Sequence, residues 1–149
     1  MATVEGNALV GRWIDVFNDR DLDACATVVA SAYMEHALAP FGQVAPGAVD
    51  GPAHLRASVE WLLGQFPDLR MTVRAMAVEG DTVVVRVQSE GTNLGPLNGV
   101  LPPTGRHFST EQSHWFRIQD GRLAEHWATR DDLGVMLQLG VIQPPGRTA

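Results

Sequence analysis

Residues 108–140, FSTEQSHWFRIQDGRLAEHWATRDDLGVMLQLG, decide the fold. Asp120-Gly121 parts two runs of strand-like residues, and a two-residue type I′ turn demands positive φ at both central positions, which Asp-Gly tolerates. With no irregularity, that turn pairs Gln119 with Arg122. Counting outward, Ile118 then faces Leu123, Phe116 faces Glu125, His114 faces Trp127, Gln112 faces Thr129 and Thr110 faces Asp131. One face of the hairpin grades from apolar near the turn to polar at the far end, where His114, Gln112, Thr129 and Asp131 gather around Trp127. A half-buried sheet face with ionisable groups at one end reads as a pocket wall. His126 falls on the other face with Trp115 and Arg117. A β-bulge would exchange the faces and bring His126 to the pocket in place of Trp127.

Working outward, the upstream chain reads as helices and then strands. Leu9, Val10, Trp13, Ile14 and Phe17 repeat at helical spacing until the polar cluster Asn18-Asp19-Arg20-Asp21. Asp21 is the expected N-cap of a short second helix over Leu22 to Val29, and Tyr33 to His36 reads as extended. The Pro/Gly/Ala-rich run from Ala37 to Asp50 is expected to be a long loop, a lid over the pocket. Pro52 suits a first helical position, and Leu55, Val59, Leu62, Leu63 and Phe66 form an amphipathic stripe stopped by Pro67. Leu69 to Val78 and Thr82 to Thr92 then flank Glu79-Gly80-Asp81 as a second hairpin. After the Pro/Gly loop from Gly95 to Gly105 and the hairpin above, Asp132 is the expected cap of a last short helix ending at Gly140. Helices followed by an antiparallel meander give an α+β fold, with helices laid on one face of a curved sheet.

Composition narrows the function classes. The 149 residues suit a single domain spanning the whole chain, 1–149, with one sizeable core. A formal net charge of -6 with scattered Lys and Arg opposes a nucleic-acid surface. No signal segment or membrane-length apolar window is seen, so a cytoplasmic location is expected. The single cysteine, Cys25, stands among Ala24, Ala26 and Val28, which reads as a small buried thiol rather than a nucleophile. No histidine pair has HxH or HExxH spacing, so a zinc or iron site is not expected. Trp13, Trp61 and Trp115 lie on apolar stripes and read as packing residues.

The runs PDLRMTV, the hairpin centred on EGD, GVLPPTGRHFS, FRIQDGRLAEHW and RDDLGVMLQLG, in that order, resemble the SnoaL-like polyketide cyclases. The resemblance spans Trp13 to Gly140. It implies the cone-shaped α+β barrel of the ketosteroid isomerase and nuclear transport factor superfamily. It also implies a cofactor-free intramolecular aldol ring closure of an aromatic polyketide, with an aspartate four residues after the last strand's tryptophan as general acid/base. That position is Asp131, after Trp127, and the neighbouring Asp132 is left to cap the helix.

The residues fit that chemistry, since a base held in a dry cavity can remove a proton α to a carbonyl. His114 is the second catalytic candidate, as a donor to the developing enolate or a partner of Asp131. Gln112, Trp127, Thr129, Tyr33 and Arg86 are candidate substrate contacts, together with His36, which resembles a histidine at the pocket mouth of relatives. The expected ligand is a small, planar, polycyclic molecule. The face bearing Trp115 and His126 is expected to form a homodimer or larger homo-oligomer. Isomerisation by proton transfer is an alternative. Epoxide hydrolysis by an Asp-Arg-Asp arrangement, with Arg86 beside Glu90 or Asp131, is another, as is a non-catalytic binding or dimerisation module.

Overall fold

The computed structural model describes residues 2–38 and 51–146, and most of the expected lid, residues 39–50, lies outside them. Helix α1 (Ala2–Asp19) starts a full two turns before the first periodic residue. Leu22–Ala24 and α2 (Cys25–Val28) follow as a 3₁₀ turn and a single α-turn rather than one helix, and Asp21 makes no side-chain cap. Strand β1 (Val29–Glu35) precedes α3 (Gly51–Gln65), β2 (Arg70–Glu79), β3 (Thr82–Thr92), β4 (His107–Gln119), β5 (Arg122–Arg130) and α4 (Asp132–Gln138).

The five strands form one sheet in the order β1-β5-β4-β3-β2. The three hairpin-linked contacts are antiparallel, while β1 runs parallel to β5. Strict alternation along β3 buries Val83, Val85 and Val87 completely on the concave face. Each contributes roughly 1.5–3 kcal/mol of apolar burial. Against them pack Val10, Trp13, Ile14 and Phe17 of α1, with Leu55 and Val59 of α3 completing the cluster. The resulting α+β fold is the one the sequence indicates.

Side-chain amides fasten the pieces that carry little periodicity. Asn18 Nδ2 donates to the Met71 carbonyl and its Oδ1 accepts from the Met71 N–H, both at 2.8 Å, tying the end of α1 to β2. Fully buried Asn93 donates to the Gln65 and Gly95 carbonyls and accepts from Thr104, holding the Pro/Gly loop. At Gly95 any Cβ would collide with the Gly64 carbonyl, so the end of α3 and this loop approach each other as only glycine permits.

The hairpin turn forms as its sequence dictates, with Asp120 at φ 52° and Gly121 at φ 74°. Its register, however, does not run straight. Gln119 pairs with Arg122 and Ile118 with Leu123, and the ladder then steps to Arg117 with Glu125, leaving Ala124 as an inserted residue. Leu123 and Ala124 are both buried, which is how the apolar count near the turn absorbs the extra residue. Beyond the bulge, Phe116 faces His126, Trp115 faces Trp127, His114 faces Ala128, Ser113 faces Thr129 and Gln112 faces Arg130. Since side chains alternate, this single insertion carries His126 to the concave face and Trp127 to the convex one.

Candidate active site

The concave face, α1, α3 and the start of α4 enclose a cavity of about 280 Å³. Most of its wall is apolar, from Trp13, Phe17, Leu62, Phe66, Met71 and Phe108. Its polar end holds Glu35, Gln112, His114, His126, Arg130 and Asp132. Strand periodicity explains this grouping. Gln112 and His114 alternate inward with Phe116 on β4, as do His126 and Arg130 on β5, while β1 delivers Glu35 beside His126.

These groups form a continuous hydrogen-bonded chain. Tyr33 Oη donates to Glu35 Oε2 at 2.9 Å, and the Glu35 carboxylate meets His126 Nδ1 at 2.7 and 2.8 Å. His126 Nε2 lies 2.9 Å from His114 Nδ1, and His114 Nε2 lies 3.0 Å from Gln112 Oε1. Both imidazoles are only 5% exposed. They stack 13° from parallel, and the Trp13 ring lies about 5 Å from each.

Electrostatics divide the two ends of the chain. Burial, then the charges of His126 and Arg130, hold His114 well below the ordinary imidazole value, so this ring is neutral. Burial acts to raise Glu35, but the hydrogen bond and charge of His126, the Ala37 N–H and the Tyr33 hydroxyl together lower it, leaving a carboxylate. Burial, with Glu35 beside it, pushes Tyr33 well above the ordinary phenol range, so Tyr33 remains a donor. The arrangement is a neutral histidine facing the cavity, backed by a second histidine that a carboxylate holds through Nδ1. It can accept a proton and pass the charge inward.

Several expected site residues lie elsewhere. Asp131 Oδ1 accepts from the Gly134 N–H at 2.8 Å, so Asp131, not Asp132, is the N-cap of α4, and its side chain is exposed. Asp132 lines the cavity and accepts from Arg130 Nε at 3.3 Å. The bulge is the cause, because it advances β5 by one residue and exchanges the positions of the two aspartates. Trp127 is 40% exposed on the convex face beside Trp115, 46% exposed, and Thr129 lies there too. His126, expected on that face, is buried in the cavity.

Arg86 also points outward, donating to Glu111 Oε1 at 2.8 Å, so it does not enter the cavity. Tyr33 contacts the site only through Glu35. His36 lies at the cavity mouth, its ring stacked 4.7 Å from Trp127 and its Nε2 2.9 Å from Glu125 Oε1. His114 and Gln112 lie in the pocket wall where the sequence puts them. Glu35 and Arg130 are site residues that sequence reasoning misses: Glu35 stands in no recognised pattern, and Arg130 opens the run RDDLGVMLQLG with no role attached to it. The alternation of β5 from His126 reaches Arg130 once the bulge is known. Among the described residues no group of three or more His, Cys, Asp or Glu is placed to hold a metal ion.

No described helix is long and apolar enough to cross a membrane. The family model for SnoaL-like polyketide cyclases matches residues 7–139. The aklanonic acid methyl ester cyclase DauD of Streptomyces sp. (strain C5) is 31% identical over 139 residues, covering 89% of this chain and 80% of that protein. The nogalonic acid methyl ester cyclase of Streptomyces nogalater is 34% identical over 95 residues, covering 63% of this chain and 70% of that one. Among solved structures, TsrD from Streptomyces laurentii superposes with a TM-score of 0.80 at 28% identity, covering 93% of this chain and 97% of its own. With a match across nearly the whole domain and a cavity built on its last hairpin, the chain belongs to the SnoaL-like polyketide cyclase family.

Proposed function

We propose that this protein closes a ring in an aromatic polyketide by intramolecular aldol addition, acting in the cytoplasm as a homodimer. The observation that carries the reading is the buried chain from Gln112 through His114 and His126 to Glu35, opening into an otherwise apolar cavity. An aldol closure transfers neither electrons nor a carried group. A base, an acid and a dry cavity suffice for it.

His114 is the base. Both nitrogens of His126 are engaged by permanent neighbours, while the outer nitrogen of His114 is held only by the terminal amide of Gln112, which a substrate displaces. In the reactive tautomer His126 Nδ1–H donates to Glu35, His114 Nδ1–H donates to His126, and the Gln112 amide turns its NH2, in place of Oε1, toward His114 Nε2, whose lone pair then faces the cavity. His114 Nε2 removes a proton from the carbon between two carbonyls. The C–H electrons become an enolate, and the enolate carbon attacks a ketone carbon of the same molecule. A C–C bond forms, and the ketone π pair becomes an alkoxide, which takes a proton back from His114. The proton held meanwhile by the two rings is stabilised by Glu35. Substrate and product have the same composition.

The aspartate role implied by the family resemblance is transferred here from Asp131 to the histidine chain, because Asp131 caps α4 outside the cavity. The outer face, where Trp115 and Trp127 are exposed side by side, supports the dimer. Aklanonic acid methyl ester and nogalonic acid methyl ester, named for the relatives' reactions, are the test compounds. The purified protein should convert at least one to an isomer of equal mass, in which a new C–C bond replaces one C–H of the attacking carbon and one ketone has become an alcohol. No conversion of either methyl ester would sink the reading.

A further inference from the structure

Arg130 is a cavity cation that the proton chain leaves unused. It ends β5 directly across from Gln112, on the same inward face. Its side chain is 15% exposed in a wall made mainly of aromatic and aliphatic groups. Nε donates to Asp132 Oδ1 at 3.3 Å, and Nη2 donates to the Leu38 carbonyl. Nη1, with two N–H groups, has no partner among the described residues.

A guanidinium withdrawn from water is costly, and one long bond from a single carboxylate offsets only part of that cost. Retaining it in an apolar cavity is understandable if it meets an anion there. A planar fork of N–H donors fits two coplanar oxygens sharing one negative charge better than it fits a point charge.

We infer that Arg130 is the anchor for the two oxygens of a β-dicarbonyl substrate, binding its enolate more tightly than its neutral form. The choice of anion rests on the cyclase reading, in which the adjacent His114 generates that enolate. Gln112 stands between the two groups, opposite Arg130 and bonded to His114. A dicarbonyl seated on Arg130 therefore has its acidic carbon beside the base. Glu35, His114 and His126 on the surrounding strands, His36 just after β1 and Asp132 on α4 are the ionisable cavity residues around it, and α3 adds His54. Arg130 is thus a specificity residue, selecting substrates whose reactive carbon lies between two carbonyls.

The test uses 1-phenylbutane-1,3-dione, which ionises to such an enolate but has no second ketone placed for ring closure. Near-ultraviolet absorbance of the enolate is titrated against pH with and without the intact protein. Wild type should favour the bound enolate by at least about tenfold, a fall of one unit or more in its apparent pKa. Arg130→Met should abolish that shift. Arg130→Lys, which keeps the charge and loses the fork, should retain only part and covers the case in which the methionine variant does not fold.

An unchanged shift in either folded variant, or no shift in wild type, overturns the anchor. So does sodium benzoate competing as strongly as the diketone, which would make the site one for carboxylates. The enolate shift without any ring closure of the two methyl esters would leave the anchor standing and remove the cyclase reading. Wild-type ring closure by Arg130→Met would do the reverse.

Discussion

His114 Nδ1 and His126 Nε2 lie 2.9 Å apart, so at any moment one ring donates and the other accepts across that gap. Replacing either ring breaks the path from the cavity to Glu35. His114→Gln should cut ring-closure turnover by about 10²- to 10⁴-fold with substrate binding retained, the usual range for a positioned acid/base. Glu35→Gln should slow turnover by at least about tenfold and move its pH profile, since the tautomer of His126 is no longer fixed. Steady-state kinetics against pH decide. Wild-type turnover in His114→Gln would remove the histidine chain from the mechanism.

Asp131 and Asp132 should respond oppositely to neutralisation. Asp131→Ala removes the Gly134 bond and should cost about 1 kcal/mol of stability, with turnover unchanged. Asp132→Asn should leave thermal stability within about 0.5 kcal/mol while altering KM, because its carboxylate faces the cavity and Arg130. Urea unfolding and kinetics on the two variants test the exchange of roles. A large loss of turnover in Asp131→Asn would restore the aspartate mechanism.

Acid should destabilise the fold from near neutrality downward. His114 is depressed in the folded state, so below about pH 6.5 the unfolded chain takes up a proton that the folded chain refuses, and stability falls as pH falls. Glu35 is also depressed, and its contribution, present above the ordinary carboxylate range, is lost as pH drops through its folded value. Both act in the same direction. Urea midpoints from pH 8 to pH 4 should decline, and His114→Gln should flatten the upper part of that decline between about pH 6.5 and 5.

Deleting Ala124 should leave the faces of β5 in place. With the inserted residue gone, Ile118 still pairs with Leu123 and Arg117 with Glu125, so His126 and Arg130 stay on the concave face. The expected cost is about 1–3 kcal/mol, from a lost buried methyl and a strand forced straight where the core holds a bulge. Circular dichroism melting should show one cooperative transition at lowered temperature, with ring-closure activity retained. A deletion variant that folds but loses all turnover would mean that the bend of the bulge, and not the register alone, sets the site.

The convex face should pair two copies. Trp115 and Trp127 sit opposite each other across β4 and β5, with half-exposed Met34 on the neighbouring strand. Light scattering should give twice the chain mass, and Trp115→Glu should shift the protein toward monomer without lowering its helix and strand content. A monomeric wild type would leave the two tryptophans to another partner.

The sequence by itself determined the elements whose signal is local. The Asp120-Gly121 turn, the alternating valines of β3 and the amphipathic stripe of α3 each depend on residues a few positions apart, and all three form as their spacing dictates. It also put His114 and Gln112 in the pocket wall, because both lie on β4, whose alternation is uninterrupted against β3. What lay beyond its reach was the face that each β5 residue after Ala124 takes. A bulge adds one residue without changing composition or periodicity enough to be read, yet it reverses every later side chain on the strand. Burial of Leu123 and Ala124 together against the core settles that register, and with it the inward placement of His126 and Arg130. It also decides which of two adjacent aspartates caps α4. Glu35 enters the site through a parallel pairing of β1 with β5, a contact between residues some 90 positions apart. Only packing of the whole chain brings that carboxylate to its histidine.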